Sequence, residues 1–428
     1  MTGNQIRDSF KQTAAVFDWI SQMNREIKVN IERIPFRQLS QWRFEKGRIF
    51  HTSGKFFSIE GLSVVSEFEK RSWTQPIIIQ PEIGILGILA RKIDGVYYFL
   101  LQAKVEPGNL NNVQLSPTVQ ATRSNYTQVH GGKRPLYLEY FLDRAPGRKK
   151  LVDQIQSEQG SRFLKKRNRN MVIEITEEVP LADNFCWLTL GQIKELMRHD
   201  NVVNMDTRTV ISGLPLFSDH RDAVGDIFSW IADFKASCSF ERKLIPLDNM
   251  ANWVIGDDEI YEEQRKFFSV IAVQVSINNR EVTTWDQPIV KPAAQGVAAV
   301  FLKKNGAETA LLLQMKPECG NLDTFELGPT IQYTNGSPDP QDMLYAYFSK
   351  LPKSAFIYDV MQSEEGGRFY KEQNRNVIVA LPGDLPFDLP PHYRWISLGQ
   401  IQELLRMNNV INIELRSLIA ALYPEDPA

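Results

Sequence analysis

Residues Gln102–Gln120 read QAKVEPGNLNNVQLSPTVQ, and residues Gln314–Gln332 read QMKPECGNLDTFELGPTIQ. Gln102, Lys104, Gly108-Asn109-Leu110, Pro117-Thr118 and Gln120 return in the second stretch as Gln314, Lys316, Gly320-Asn321-Leu322, Pro329-Thr330 and Gln332, each 212 residues on. Upstream, Trp73-Thr-Gln75-Pro76-Ile77 returns as Trp285-Asp-Gln287-Pro288-Ile289 at the same shift, and Lys55-Phe56-Phe57-Ser58 as Lys266-Phe267-Phe268-Ser269 at a shift of 211. Downstream, Gln156-Ser157-Glu158, Arg162-Phe163 and Asn168-Arg169-Asn170 return as Gln362-Ser363-Glu364, Arg368-Phe369 and Asn374-Arg375-Asn376 at a shift of 206. Leu190-Gly191-Gln192-Ile193 closes the series as Leu398-Gly399-Gln400-Ile401. So many identities in one order mean duplication, and a period this long means tandem domains and not a solenoid. The copies are assigned to 31–212 and 242–428, with 1–30 as an N-terminal helical segment and 213–241 as a connector.

Within each copy, β-branched and apolar runs at Ile83–Ile93, Tyr97–Gln102, Val297–Leu302 and Ala310–Met315 predict strands, as do Met171-Val-Ile-Glu-Ile-Thr and Val377-Ile-Val-Ala. Helices are expected at Pro135–Leu142, Leu151–Gln159 and Leu190–Met197. Strands and helices without a regular βαβ alternation predict an α+β fold.

The composition excludes several classes. The 428 residues suffice for two cores, and 43% hydrophobic with 23% charged residues is a globular profile. A formal charge of −2 gives no basic surface for nucleic acid. Charges at Arg7, Asp8, Lys11 and Asp18 interrupt the N-terminus, which reads as an amphipathic helix and not a signal peptide. No apolar run is long enough to span a membrane. Cys186, Cys238 and Cys319 are odd in number and far apart, so a cytoplasmic protein without a disulfide framework is expected. The five histidines lack ligand spacing, so no zinc site and no cofactor are expected, while a carboxylate-bound magnesium, which leaves little sequence trace, stays open. GxGxxG, GxxxxGK[ST] and GxSxG are absent, which removes a dinucleotide loop, a phosphate loop and a nucleophile elbow.

What remains is a block of amides, hydroxyls and cations running from Gln102 to Gly132, dense enough to hold a polyhydroxylated ligand with charged phosphates. Gln102, Lys104, Asn109, Ser116, Thr118, Gln120 and Thr122 are its candidate binding groups, joined by Glu158, Arg162, Asn168, Arg169 and Asn170 farther on. A turn-rich surface loop and a structural ion pair are the plainer readings of these residues. Trp73 is either a core residue or a platform for a nucleobase. The second copy offers Trp285, Gln314, Lys316, Asn321, Thr330, Gln332, Tyr333, Arg368, Asn374, Arg375 and Asn376 for a second pocket.

The difference between copies points to chemistry. Past Gln120 the first copy carries Arg123, Tyr126 and His130; past Gln332 the second reads Tyr333-Thr-Asn335-Gly336-Ser337-Pro338 and lacks them. Glu139 likewise falls opposite Ala346. Titratable groups in one copy only are the better candidates for proton transfer.

The run QAKVEPGNLNNVQLSPTVQATRSNYTQVHGG, with QPEIGILG before it and QSEQGSRFLKKRNRNMV after it, resembles the NDP-hexose 2,3-dehydratase family of deoxysugar biosynthesis. The resemblance covers essentially the whole chain. It implies two Nudix-like domains in one subunit, a homodimer, and a dTDP-4-keto-6-deoxyhexose substrate whose product a 3-ketoreductase consumes. It also implies a nucleotide pocket in each half, only one of them catalytic. A Nudix-type diphosphate hydrolase is the rival, but Gln156-Ser-Glu158-Gln-Gly160 has one glutamate where the REUxEE helix needs a cluster. A non-catalytic nucleotide-sugar binding protein is the other.

Overall fold

The computed structural model describes residues 5–6, 12–122, 134–142, 148–216, 222–280, 282–306, 308–333 and 342–422. They form an α+β body with two five-stranded and two seven-stranded sheets. Apart from a short 3-10 turn at Lys353–Ala355, one order of elements runs twice. It goes from a helix at Thr13–Glu26 or Gly225–Ser237, which lies ahead of the bounds assigned above to each copy, to a fully buried helix at Met205–Ser212 or Ile413–Ala421.

The copies exchange strands. Val29–Ile34, the first strand of the first copy, pairs antiparallel with Ser269–Ile277 of the second, Val29 opposite Ile277 and Ile34 opposite Ala272. Phe240–Ile245 returns the exchange on Ser58–Ser66, Phe240 opposite Ser66 and Ile245 opposite Gly61. The β-branched run of Ser269–Ile277 suits a buried strand. Its own hairpin partner Glu259–Glu262 reaches only to Ile271, so Ala272–Ile277 would be an open edge without the visitor. One hydrophobic core cluster accordingly holds Leu101, Val113 and Val210 of the first copy together with Val273, Leu313 and Leu418 of the second.

Each seven-stranded sheet splits. Gly84–Ile93 and Val96–Val105 form a tight hairpin around Asp94-Gly95, both at positive φ (48° and 86°), the conformation a two-residue turn between twisted strands requires. They pair only from Leu89 opposite Leu100 outward. Beyond that point Gly84–Ile93 takes Val119–Ala121 and Val96–Val105 takes Val113–Pro117. In the second copy Gly296–Asn305 and Glu308–Pro317 part in the same way, taking Ile331–Tyr333 and Phe325–Gly328.

The segment Leu151–Gln159, expected as a helix, is the strand Lys149–Ser157, paired antiparallel with Arg167–Glu174. Its apolar residues fit a short helical stripe, but the ladder to Arg167–Glu174 satisfies its backbone, and tertiary pairing overrides a weak local period. The second copy carries the clearer signal: Phe356–Ser363, FIYDVMQS, is aromatic and β-branched. The expected helix at Pro135–Leu142 is helical only over Glu139–Leu142. No helix among the described residues is long and apolar enough to cross a membrane.

At the centre, helices Met205–Ser212 and Ile413–Ala421 cross with reciprocal arginines. Arg208 Nε donates to Ser417 Oγ (2.6 Å) and its Nη2 to the Ser363 carbonyl (2.7 Å). Arg416 Nε donates to Thr209 Oγ1 (2.7 Å), and its Nη2 to the Ser157 carbonyl. Both guanidiniums are buried, which is tolerable only because their N–H groups find oxygens across the copies.

Candidate functional site

The split in each sheet opens a gap that polar side chains fill. In the first copy Lys104 Nζ donates across it to Gln120 Oε1 (2.6 Å), and Gln120 Nε2 donates back to Glu106 Oε1 (3.0 Å). Lys104 and Glu106 are themselves 3.2 Å apart. Asp206, in the first turn of the buried helix, and Glu158, at the end of its strand, lie in the same charged neighbourhood. Asn168 Nδ2 donates to Glu158.

The other copy closes the site. Gly108 N donates to the Gly366 carbonyl (2.6 Å), and Lys371 N donates to the Gly108 carbonyl (2.8 Å). A Cβ on Gly108 would stand 1.6 Å from the Phe369 carbonyl oxygen, so only glycine permits this approach. The loop thus brings Glu365 and Arg368 beside Glu106, with the Arg368 guanidinium 4.2 Å from the Phe57 ring centroid. The arrangement is reciprocal. Gly320 N donates to the Gly160 carbonyl (2.6 Å), and Arg162 lies over Phe268 at 4.1 Å, 3.5 Å from Glu372. Phe163 and Phe369 meet edge-on at 5.6 Å. The shared Arg-Phe and Lys-Phe-Phe-Ser motifs therefore hold the copies together, each lending its arginine to the other's site.

Electrostatics separate the two sites. Burial pushes Glu106 up, but Lys104 and then Arg280 and Arg368 outweigh it and hold the carboxyl below its ordinary range. Its counterpart Glu318 is pushed up to about 7 by burial and by Glu326. The residue answering Glu326 in the first copy is the neutral Gln114. Glu158 is pushed up to about 7 by burial, against Lys166 and Arg416. Burial and then Glu158, Glu365 and Glu106 raise Asp206 well above the usual range. Burial and then Glu318 and Glu364 do the same to Glu414. Gln332 Nε2 donates to Glu318 (3.1 Å) and accepts from Asn412 (2.7 Å), so in the second copy an asparagine takes the place that Lys104 holds in the first.

The remaining sequence candidates are placed as follows. Thr118 and Thr330 are stitches between strands: Leu89 N and Phe301 N donate to them (2.9 Å each), and each hydroxyl donates to the opposite strand's carbonyl, Leu100 or Leu312. Ser116 accepts from Asn204 (2.8 Å), and Asn170 Nδ2 donates to Thr209. Gln314 donates to the Pro329 carbonyl (2.8 Å) and Asn376 to the Asn374 carbonyl (3.0 Å). Arg169 and Arg375 form forked pairs with Asp153 and Asp359, all contacts 2.6–2.7 Å, on partly exposed surface. Trp73 and Trp285 donate their indole N–H to Gln75 and Gln287 (2.9 Å each), and Arg71 covers Trp73 at 4.5 Å. Asn109 Nδ2 is held by the Asn112 carbonyl (2.7 Å), Asn321 by Glu318 (3.3 Å), and Asn374 by Glu364 (2.5 Å). Tyr333 donates to Asp342. Gln102, beside Ser116 in register, and Thr122 and Lys316 are half-buried near the gaps. Glu139 is exposed. Arg123, Tyr126 and His130 lie outside the described residues.

Four groups were passed over in the sequence. Glu106 and Glu318 stand at one position of the two quoted stretches, and Asp206 and Glu414 at one position of a further match, Asn204/Asp206/Arg208 against Asn412/Glu414/Arg416. The signal was present, as carboxyls kept at equivalent positions.

A family model described as NDP-hexose 2,3-dehydratase matches the chain twice, over residues 13–214 and 224–422. The chain is 42% identical to a dTDP-4-dehydro-6-deoxy-alpha-D-glucopyranose 2,3-dehydratase of Saccharopolyspora spinosa, over 95% of this chain and 90% of that protein. Proteins of the same name from Amycolatopsis orientalis (42%, over 96% of this chain and 90% of the relative) and Streptomyces violaceoruber (41%, 96% and 97%) are similar to it as well. Among solved structures, an ADP compounds hydrolase matches at 18% identity and a TM-score of 0.19, over 30% of this chain and 69% of that one, a likeness too slight to bear on the fold.

Proposed function

The chain belongs to the NDP-hexose 2,3-dehydratase family, and from that premise we propose how its two copies divide the work. It is a sugar-nucleotide hydro-lyase. The substrate in this reading is dTDP-4-keto-6-deoxyglucose, after the names of its relatives. The C4 carbonyl acidifies the C3 proton. A base takes that proton, the electron pair moves onto the C4 oxygen, and it returns to expel the C2 hydroxyl with a proton as water. The resulting enol tautomerises to the 3,4-diketo-2,6-dideoxy sugar. The bonds balance without an oxidant or reductant.

The first copy is the catalytic half, with His130, Tyr126, Arg123 and Glu139 as its proton-transfer and enolate-stabilising groups. One observation supports this above others: Gln120 is locked between Lys104 and an ionised Glu106, and Arg123, Tyr126 and His130 follow it within ten residues of sequence. Among the described residues the second copy shows no lysine bridge to Gln332, its sequence lacks those three residues, and it is read as a second nucleotide pocket. A Nudix-like fold for each copy, a cytoplasmic homodimer, and a 3-ketoreductase acting on the product complete the proposal. Incubation with dTDP-4-keto-6-deoxyglucose should give a product lighter by one water with the dTDP retained. Recovery of dTMP and a sugar phosphate instead would make the chain a diphosphate hydrolase.

A further inference from the structure

The loop that crosses from one copy to the other differs in charge at two buried or half-buried places, Lys166 against Glu372 and, next to the crossing glycine, position 159. Position 159 of the first copy is glutamine, and its counterpart in the second is Glu365. Gln159 is buried, its amide donates to Glu364 (2.6 Å), and its Oε1 has no hydrogen-bond partner among the described residues. Glu365 is half-buried, accepts from Gly367 N through Oε1 (3.0 Å), and keeps an Oε2 that has no hydrogen-bond partner among the described residues and is sealed from solvent. The next residue, Gly366, is packed so closely that a Cβ on it would lie 2.2 Å from Asn109 Oδ1 and 3.0 Å from Glu106 Cβ. Glu365 therefore stands at the wall of the first copy's site, although it belongs to the second. A buried carboxylate oxygen without a donor is costly, and unlike the amide oxygen of Gln159 this one can take up and give back a proton, beside Glu106 and Arg368.

We infer that Glu365, lent by the second copy, is a proton-transfer group of the first copy's dehydration site. The inference rests on the reading that the first copy is the catalytic half. As a carboxylate, Glu365 takes the C3 proton, the C–H electron pair passing to the C4 oxygen; as the acid so formed, it returns that proton to the hydroxyl leaving C2, and water departs. The charges acting on it suit both halves of the step: burial and Glu106 push it up to about 7, opposed by Arg368 and Lys104, with Glu158 adding to the rise and Asp206 facing the same group. In the second site glutamine can neither accept nor return a proton, which makes that pocket inert toward this step whatever it binds.

The test is Glu365→Gln, which gives this position the residue that position 159 already tolerates. Turnover of dTDP-4-keto-6-deoxyglucose should fall by about 10²–10⁴-fold, with dTDP affinity and melting temperature close to the parent's. The limb of the pH–rate profile near neutrality should disappear with it. Glu365→Asp keeps the carboxyl at a shorter reach; it should retain that limb at reduced turnover, and it carries the test if the amide does not fold. Turnover within about threefold of the parent in a folded Glu365→Gln enzyme, or an unchanged pH limb, overturns the inference. Running His130→Ala beside it separates the two claims. An impaired His130→Ala with an active Glu365→Gln leaves the first-copy reading standing and removes Glu365, whereas two active variants remove the first-copy reading itself.

Discussion

The site of the first copy and the site of the second are built on one backbone plan and filled with opposite electrostatics. In both, a lysine, a glutamate and a glutamine surround the point where two strands part. In the first, Lys104 bridges to Gln120 and sits 3.2 Å from Glu106, and the acid is held ionised. In the second, Asn412 occupies the glutamine, Glu326 replaces the neutral Gln114 nearby, and Glu318 rises to about 7. A duplicated fold thus keeps the frame by keeping what joins the copies, and diverges where a few side chains set the charge. The two loops that cross over make the dependence mutual, because each site is walled by the other copy's Arg-Phe pair.

The largest expected effect separates the sites by chemistry. His130→Ala should lose about 10²–10⁴ in turnover, the usual range for a proton-transfer group. Nucleotide affinity should barely change, since a transition-state interaction is lost and uniform binding is not. Solvent deuterium exchange at C3 sets His130 against Glu365: exchange that persists without elimination leaves the C3 proton to Glu365 and gives His130 the leaving hydroxyl, and lost exchange gives the C3 proton to His130 and takes it from Glu365. Near-normal turnover would leave the first copy without its leading candidate, and Tyr126 and Glu139 would be the next positions to change.

A middle-sized effect tests the electrostatic contrast itself, through opposite signs at equivalent positions. Glu106 has a folded pKa below its unfolded value, so its ionised form stabilises the protein above the unfolded pKa, and that stability is lost as pH falls through the folded one. Glu318 is the reverse. Its folded pKa of about 7 exceeds the unfolded value, so the native state holds the proton more tightly and stability declines as pH rises from about 4.5 through 7. Glu106→Gln should therefore melt below the parent at pH 8, by about 1–3 °C, with the gap narrowing toward pH 4. Glu318→Gln should match the parent near pH 5 and melt at or above it at pH 8. The same sign for both in a melting series would erase the distinction between the sites.

The sequence disclosed the duplication, the α+β class and most strands, because these rest on periodicity and on identities that survive in both copies. Lys104 and Gln120, named there as candidate binding groups, meet side chain to side chain at the split. It did not disclose the strand exchange, since Val29–Ile34 reads as a strand in either copy and only packing decides which edge it covers. Nor did it tell a shared residue that binds from one that braces. Thr118, Arg162 and Trp73 persist in both copies, yet their visible work is to stitch strands, to seat one copy on the other, and to cap a hairpin face. Repeat identity marks what the fold needs twice, and a duplicated interface needs its contacts twice as surely as a pocket does. The acids at 106 and 206 were legible as carboxyls repeated in both copies, but Glu365, which has a glutamine opposite it, becomes visible only once folding places it beside Glu106.

The smallest effect makes that distinction measurable. Arg169 and Arg375 are candidate binding arginines in sequence, set between two asparagines in both copies. The structure pairs each with an aspartate on the neighbouring strand, Asp153 and Asp359, through two contacts of 2.6–2.7 Å, and leaves the side chains 38% and 39% exposed. Hydrogen bonding to those carboxylates pushes both guanidiniums up, which ties them more firmly to the aspartates and not to a ligand. At that exposure the solvent screens most of the attraction, so each pair stabilises by about 0–1 kcal/mol despite its good geometry. Arg169→Ala and Arg375→Ala should therefore lower the melting temperature slightly and equally, and leave kcat and dTDP affinity unchanged. The equality matters, because the two pairs are copies of one another on equally exposed surface of the two halves. A loss of turnover in Arg375→Ala with melting intact would mean that the chemistry lies in the second half. A loss of nucleotide affinity in Arg169→Ala alone would mean that this arginine leaves Asp153 when the diphosphate arrives.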